Sequence, residues 1–302
     1  MPSSGAGKTV EPLVLDPNMP RSRVVHLRSQ FAHEGPNVHP LMFKELLETT
    51  MTNLMGQADL SGSWNKLFRR SDVIGLKFNR SAQEVIGTTN VVATVIFESL
   101  LEAGFDEQQI ACVELPRRCE VHSRMLQPVA GYDSKVTKFA SGEDALASFV
   151  DQVTAIVNVP FLKTHNIALM TCAMKNLSHG LVKHPARYHG NHCTPYIADI
   201  CAIPKIRDKV KLHIVDALRL VYDGGPSAQS GKIAEHSGLI ASRDPVATDA
   251  VGFGVLNRMR DRYSLAPVAP TLSQVPYLAD AHRKKLGVAV PHGMDLIYAK
   301  IS

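Results

Sequence analysis

Residues Val153 to Asp199 read V-T-A-I-V-N-V-P-F-L-K-T-H-N-I-A-L-M-T-C-A-M-K-N-L-S-H-G-L-V-K-H-P-A-R-Y-H-G-N-H-C-T-P-Y-I-A-D. Thr154 to Val159 is an apolar, β-branched run, which predicts a strand buried on both faces. Pro160 has no N–H to give to a ladder, so the strand is expected to stop there. Lys163, Thr164 and His165 then fall just past its C-terminal end, the edge at which open α/β sheets bind ligands. Lys175, Asn176, His179, His184, His189 and His192 follow, so that five of the chain's 13 histidines lie in this window.

Outward from this stretch, strand-like and helix-like segments alternate. Strands are predicted at Arg23 to Leu27, Val73 to Phe78, Ile110 to Leu115, Lys135 to Phe139, Lys211 to Asp216, Gly238 to Ser242 and Met294 to Ile301. Helices are predicted at His39 to Met55, Asn90 to Ala103 (closed by Gly104), Tyr196 to Ile203, Asp244 to about Arg260, and Tyr277 to Leu286, with a helical turn at Asp144 to Val150. Asp244-Pro245 supplies an N-cap carboxylate followed by proline at the first helical position. Residues 222 to 235 are expected to form a Gly-rich loop. The alternation predicts an α/β fold, a mostly parallel sheet with helices on both faces, in a single compact domain. That domain is expected over residues 21–302, after an N-terminal arm, disordered or extended, over residues 1–20.

The arm contains S-G-A-G-K-T. The phosphate-loop motif needs a glycine five positions before Gly7, where Pro2 stands, and no strand can precede it.

With 302 residues, 45% of them apolar, the chain can bury a substantial core, and its 20% charged fraction argues against disorder. The net charge of +5 is spread along the sequence, without the basic stripe interleaved with aromatics that marks a nucleic-acid surface. It suits a mildly cationic pocket for a small anionic molecule. No apolar run is long enough to span a bilayer, and no targeting signal is read, so no membrane partner is expected. The cysteines are Cys112, Cys119, Cys172, Cys193 and Cys201, an odd number without a C-x-x-C. That pattern argues against an iron–sulfur cluster, a zinc ribbon or a disulfide framework, and predicts reduced thiols in the cytoplasm.

The order L-K-F-N, P-x-L-K-T-H, A-M-K-N-L, a histidine-rich loop, I-A-D-I, I-V-D-A, a G-G-P loop and G-L-I-A-S-R-D-P-V-A-T-D-A-V resembles domain-of-unknown-function family 362 over about residues 70 to 287. The resemblance implies the fold and the place of the site, and no reaction. Members are often labelled iron–sulfur cluster-binding proteins for a cysteine motif outside this core. That motif is missing from this chain.

Lys77 and Asn79 end one strand while Lys163 and His165 follow another, so four polar groups are expected to converge if the strands are parallel. Lysines at such an edge hold an anion or, once desolvated, act as bases. Lys163, His165 and Lys175 are the candidate catalytic residues. Lys77, Asn79, Asn176, Asp216 and Gly225 are candidate ligand-binding residues, the last through close backbone approach in Gly224-Gly225-Pro226. His189 and His192, three apart, are the candidate metal ligands for a divalent ion, with His165 or Asp199 in support; they serve equally as substrate contacts. Glu114 is a candidate acid or base, or the partner of Arg117 or Arg118. Asp249 reads as a structural partner within its helix. The function expected is an enzyme acting on a small anion in a Lys/His-lined pocket, or alternatively a non-catalytic metal- or cofactor-binding protein.

Overall fold

The computed structural model describes residues 12–116, 118–228 and 232–301. The S-G-A-G-K-T segment, Arg117 and the middle of the Gly-rich loop lie outside the described residues. From Pro12 to Pro20 the chain has no helix or strand, and Leu13, Leu15 and Met19 pack on the core.

The main sheet has nine strands: β1 Ser22–Ser29, β2 Ile74–Lys77, β3 Ile110–Val113, β4 Ala155–Asn158, β5 Phe161–His165, β6 Leu169–Thr171, β7 Val210–Asp223, β8 Lys232–Ser242 and β9 Met294–Ile301. Its order is β9-β1-β8-β7-β4-β2-β3, with β5 also on β7 and β6 on β5. The β3-β2-β4-β7, β7-β5 and β1-β9 pairings are parallel; β8 is antiparallel to β1 and β7, and β6 to β5. The sheet is therefore mixed but mostly parallel.

Side chains alternate across it, as the two-residue strand period requires. Val24, Ile156, Val215 and Ile240 enter one core, and Val25, Val157, Ile214 and Leu239 the other. The second core is roofed by α1 Pro40–Met55, α2 Leu60–Leu67 and α3 Thr89–Glu102, through residues such as Phe43, Leu47, Trp64, Ile96 and Leu100. The first is roofed by α4 Ala173–Gly180, α5 Tyr196–Cys201, α6 Pro245–Arg262 and α7 Pro276–Arg283, through Leu177, Ile200, Leu256 and Leu278. Asp244 caps α6 as its sequence predicts, accepting from the N–H groups of Val246 and Ala247 at 2.8 and 2.9 Å. Among the described residues, no helix is long and apolar enough to cross a membrane.

Four local expectations are corrected. β4 ends at Asn158, just before Pro160, but the chain does not leave the sheet there. Its carbonyl accepts the Asp216 N–H at 2.9 Å, and the next residues pair with β7 at Phe161↔Asp216 and Val221↔Lys163. Lys163 and His165 are thus inside a strand, in a hairpin with β6. The predicted loop at 222–235 is shorter at both ends, because the strands of the long antiparallel β7–β8 pair run to Asp223 and start again at Lys232. The turn predicted at Asp144 to Val150 is a strand end followed by a helix at Phe149–Gln152. Asp249 partners two other helices, α4 and α7: Oδ1 accepts the Ala173 N–H at 2.7 Å and Oδ2 the Tyr277 hydroxyl at 2.9 Å.

Candidate functional site

Parallel register sets the base of the site. Lys77 ends β2 directly opposite Asn158 on β4, and Asn158 lies opposite His213 on β7. All three side chains are buried, so their polar atoms need partners. His213 Nδ1 lies 3.1 Å from Asn158 Nδ2, which also donates to the Ala173 carbonyl at 3.0 Å. Burial holds His213 down to about 3, so it is neutral and accepts at Nδ1. Asn158 Oδ1 accepts from Asn176 Nδ2 at 2.8 Å, which fixes the orientation of the Asn176 amide on α4. Asn176 Oδ1 then faces two donors, Asn79 Nδ2 at 2.7 Å and Lys77 Nζ at 3.3 Å.

Lys77 is fully buried and ion-paired with Glu114 at 3.0 Å. Glu114 lies just past β3 with φ at +63°, a left-handed conformation that costs a non-glycine residue about 1–2 kcal/mol. Its carboxylate also accepts the Arg80 N–H at 2.9 Å. Gly180, at the end of α4, makes room for this lysine: a Cβ there would lie 2.5 Å from Lys77 Nζ.

Lys163 reaches the same place from β5. Its Nζ donates to Asn79 Oδ1 and to the Ser81 carbonyl, both at 2.9 Å. Burial lowers it to about 7, opposed by Glu114 and assisted by Lys77 and Lys175. Lys175, on α4, is lowered to about 8, again by burial, and its Nζ lies 3.2 Å from His189 Nε2. Among the described residues neither Lys163 nor Lys175 has a carboxylate within ion-pair distance.

His165 Nδ1 accepts the backbone N–H groups of Ile167 and Ala168 at 3.1 and 3.2 Å. Burial and then the Lys175 charge hold it at about 3, so it is neutral. The proton is therefore on Nε2, which makes this imidazole a hydrogen-bond donor there and not a base. These groups surround a cavity of about 250 Å³ lined by Asn79, Glu114, Lys163, His165, Lys175 and Asn176, among others.

Three sequence candidates lie elsewhere. Asp216 is buried beyond the cavity, bonded to the Thr88 hydroxyl and the Leu218 N–H, and burial raises it to about 6. Gly225 does allow a close backbone approach, but to Thr164: its N–H donates to Thr164 Oγ1 at 3.0 Å, and a Cβ would lie 2.0 Å from the Thr164 carbonyl oxygen. Its neighbour Pro226 reaches the cavity wall. His192 is exposed and donates from Nδ1 to the Ile167 carbonyl at 2.8 Å. A right-handed turn would put it on the face of His189. Asn191, His192 and Cys193 instead have φ of +48°, +53° and +62°.

That left-handed run brings Cys193 inward. His179, His189 and Cys193 each offer a ligand atom, all within 4.8 Å of one another. Asp199 takes no part, being paired with Lys284, and His184 pairs with Asp144.

Sequence reasoning missed Asn158, Ser81, and Cys193 as a partner of the histidines. Asn158 carried a readable signal, since an amide inside an apolar strand must find partners when buried. Ser81 acts through its carbonyl, which no side-chain pattern shows.

A family model described as Domain of unknown function (DUF362) matches residues 85–254, more than half of the chain. No curated protein matches the sequence. Among solved structures the chain is similar to the crystal structure of a protein from Thermotoga maritima, with 10% identity and a TM-score of 0.38, over 76% of this chain and 60% of that one. The chain thus spans about 60% of the length of that protein.

Proposed function

The chain belongs to the family described as a domain of unknown function, DUF362, and we propose that it is an enzyme that binds a small anionic molecule in the Lys163–Lys175 cavity. One observation carries this reading: two buried lysines face one cavity with neutral partners alone. Lys77 has Glu114, whereas Lys163 has two carbonyl-type oxygens and Lys175 has an imidazole. Burying an ammonium without a counter-charge is costly, and depressed pKa values express that cost. An anion between the two lysines supplies the missing charge and restores both protons.

The cavity volume, about 250 Å³, falls below the roughly 300–1,000 Å³ of common ligand pockets, which favours a small carboxylate or phosphoryl compound. Two N–H bonds of Lys163 are already used, so its third position faces the ligand. Near neutral pH that position alternates between a proton and a lone pair, which suits Lys163 as the proton-transfer group. His165 Nε2–H orients the anion. Five buried free cysteines suit action in a reducing compartment such as the cytoplasm.

The test is calorimetric titration with sulfate, oxalate and phosphate at pH 6.5, against wild type and Lys163→Met. The reading expects saturable one-to-one binding of at least one of them, weakened tenfold or more in the variant. Equal affinity in the two proteins would overturn it.

A further inference from the structure

We infer that His179, His189 and Cys193 form a three-ligand site for a zinc-class transition-metal ion in the wall of the cavity. Their ligand atoms lie within 4.8 Å of one another, and small side-chain rotations bring them to the separations of about 3.3–3.8 Å that a tetrahedral ion bonded at roughly 2.0–2.3 Å sets. Two imidazoles and a thiolate select a borderline metal over magnesium or calcium, which prefer oxygen donors. Three protein ligands leave one tetrahedral position open, as in catalytic zinc sites.

The surroundings favour ligation. His189 Nδ1 donates to the Pro185 carbonyl at 3.0 Å, which leaves the lone pair on Nε2 and orients the ring as the outer bond of a metal-bound histidine does. His179 is held by single neutral contacts, to the Tyr188 carbonyl at 3.2 Å and to Ser178 Oγ at 3.0 Å. The Ser178 hydroxyl has a second acceptor in the Lys175 carbonyl at 3.5 Å. Cys193 is fully buried, and three successive residues in left-handed conformation place it there. Such conformations cost non-glycine residues about 1–2 kcal/mol each and persist where the local structure over-determines them.

Lys175 stands where the ion would sit. Its Nζ approaches His189 Nε2 at 3.2 Å, so an ammonium and a metal ion compete for one lone pair. Binding breaks the Cys193 S–H bond and forms a sulfur–metal bond, with the proton released to solvent. Lys175 then turns toward the cavity, which its side chain already lines together with His179. This inference does not rest on the anion reading.

The experiment is titration of reduced, metal-free protein with cobalt(II) in a weakly coordinating buffer without added anions. The expected result is one equivalent bound, with the intense near-ultraviolet charge-transfer band of a cobalt–thiolate bond. Cys193→Ser should abolish that band, and His189→Gln should weaken binding tenfold or more. His192→Ala should leave both unchanged. Lys175→Met should bind more tightly than wild type, an outcome that loss of fold cannot mimic. A band that persists in Cys193→Ser, the absence of any band in wild type, or weaker binding by Lys175→Met would each overturn the inference.

Discussion

Lys163 Nζ lies 2.9 Å from Asn79 Oδ1, although 84 residues separate them in the chain. The contact exists because β2 and β5 both run parallel to strands of one sheet and end at the same edge. Asn79 cannot serve as a counter-ion. Its amide oxygen accepts one hydrogen bond and leaves the lysine charge uncompensated, which is the condition an anionic ligand relieves.

Sulfate affinity should fall as pH rises through about 7. Burial sets Lys163 near that value, with Glu114, Lys77 and Lys175 as the charged groups around it. Below it the ammonium is present and attracts the anion; above it the amine is neutral. The dependence should approach tenfold per pH unit above 7 and flatten in Lys163→Met. Sulfate is the suitable probe because it does not titrate in this range. Calorimetry at constant ionic strength checks this, and a pH-independent affinity contradicts it.

Gly180→Ala should destabilise the protein by about 1–3 kcal/mol, as overpacking does. The added Cβ would lie 2.5 and 2.7 Å from Lys77 Nζ and Cε. Lys77 is fully buried and cannot move without breaking its pair with Glu114. Urea unfolding should show a lower midpoint with an unchanged slope. An unchanged midpoint would mean that the close fit has no energetic weight.

Gly225→Ala should cost more than Gly180→Ala. Its Cβ would meet the backbone carbonyl oxygen of Thr164 at 2.0 Å, and a backbone atom inside β5 has no flexible end to swing away. Anion affinity should fall with stability, because Thr164 lies between Lys163 and His165. Stability equal to wild type would show that the loop is not seated on β5.

Much of this arrangement is legible in the sequence, and the reason is chemical. Lysines that close apolar strands, at Lys77 and in P-x-L-K-T-H, announced a polar edge, and Asp244-Pro245 announced a helix start. The β5–β6 hairpin is hidden because a proline after an apolar run signals a strand end. Its missing N–H does not prevent its carbonyl from pairing across to β7. Cys193 was hidden for a different reason. Helical spacing assumes right-handed φ, and three left-handed residues turn His192 outward and bring the cysteine to His179 and His189.

His213 should make the protein acid-sensitive. It is buried and neutral, with a folded value of about 3 against an ordinary 6.5. Between those values the unfolded chain binds a proton that the folded chain does not, so stability is full above about pH 6.5 and is lost as pH falls toward 3. Asp216 and Asp249, raised by burial to about 6 and 7, act in the opposite direction over part of this range. The informative quantity is therefore the difference between wild type and His213→Gln. The variant should lose up to about 1.4 kcal/mol per pH unit of the wild-type slope. Identical slopes in denaturant titrations from pH 4 to 7 would contradict the assignment.

The most direct measurement is a crystal structure of the protein grown with sulfate at pH 6. The account predicts one sulfate in the cavity, with oxygens about 2.7–2.9 Å from both Lys163 Nζ and Lys175 Nζ, as charge-assisted bonds require. A cavity holding water alone while sulfate binds elsewhere, or a protein carboxylate turned in between the two lysines, would contradict it.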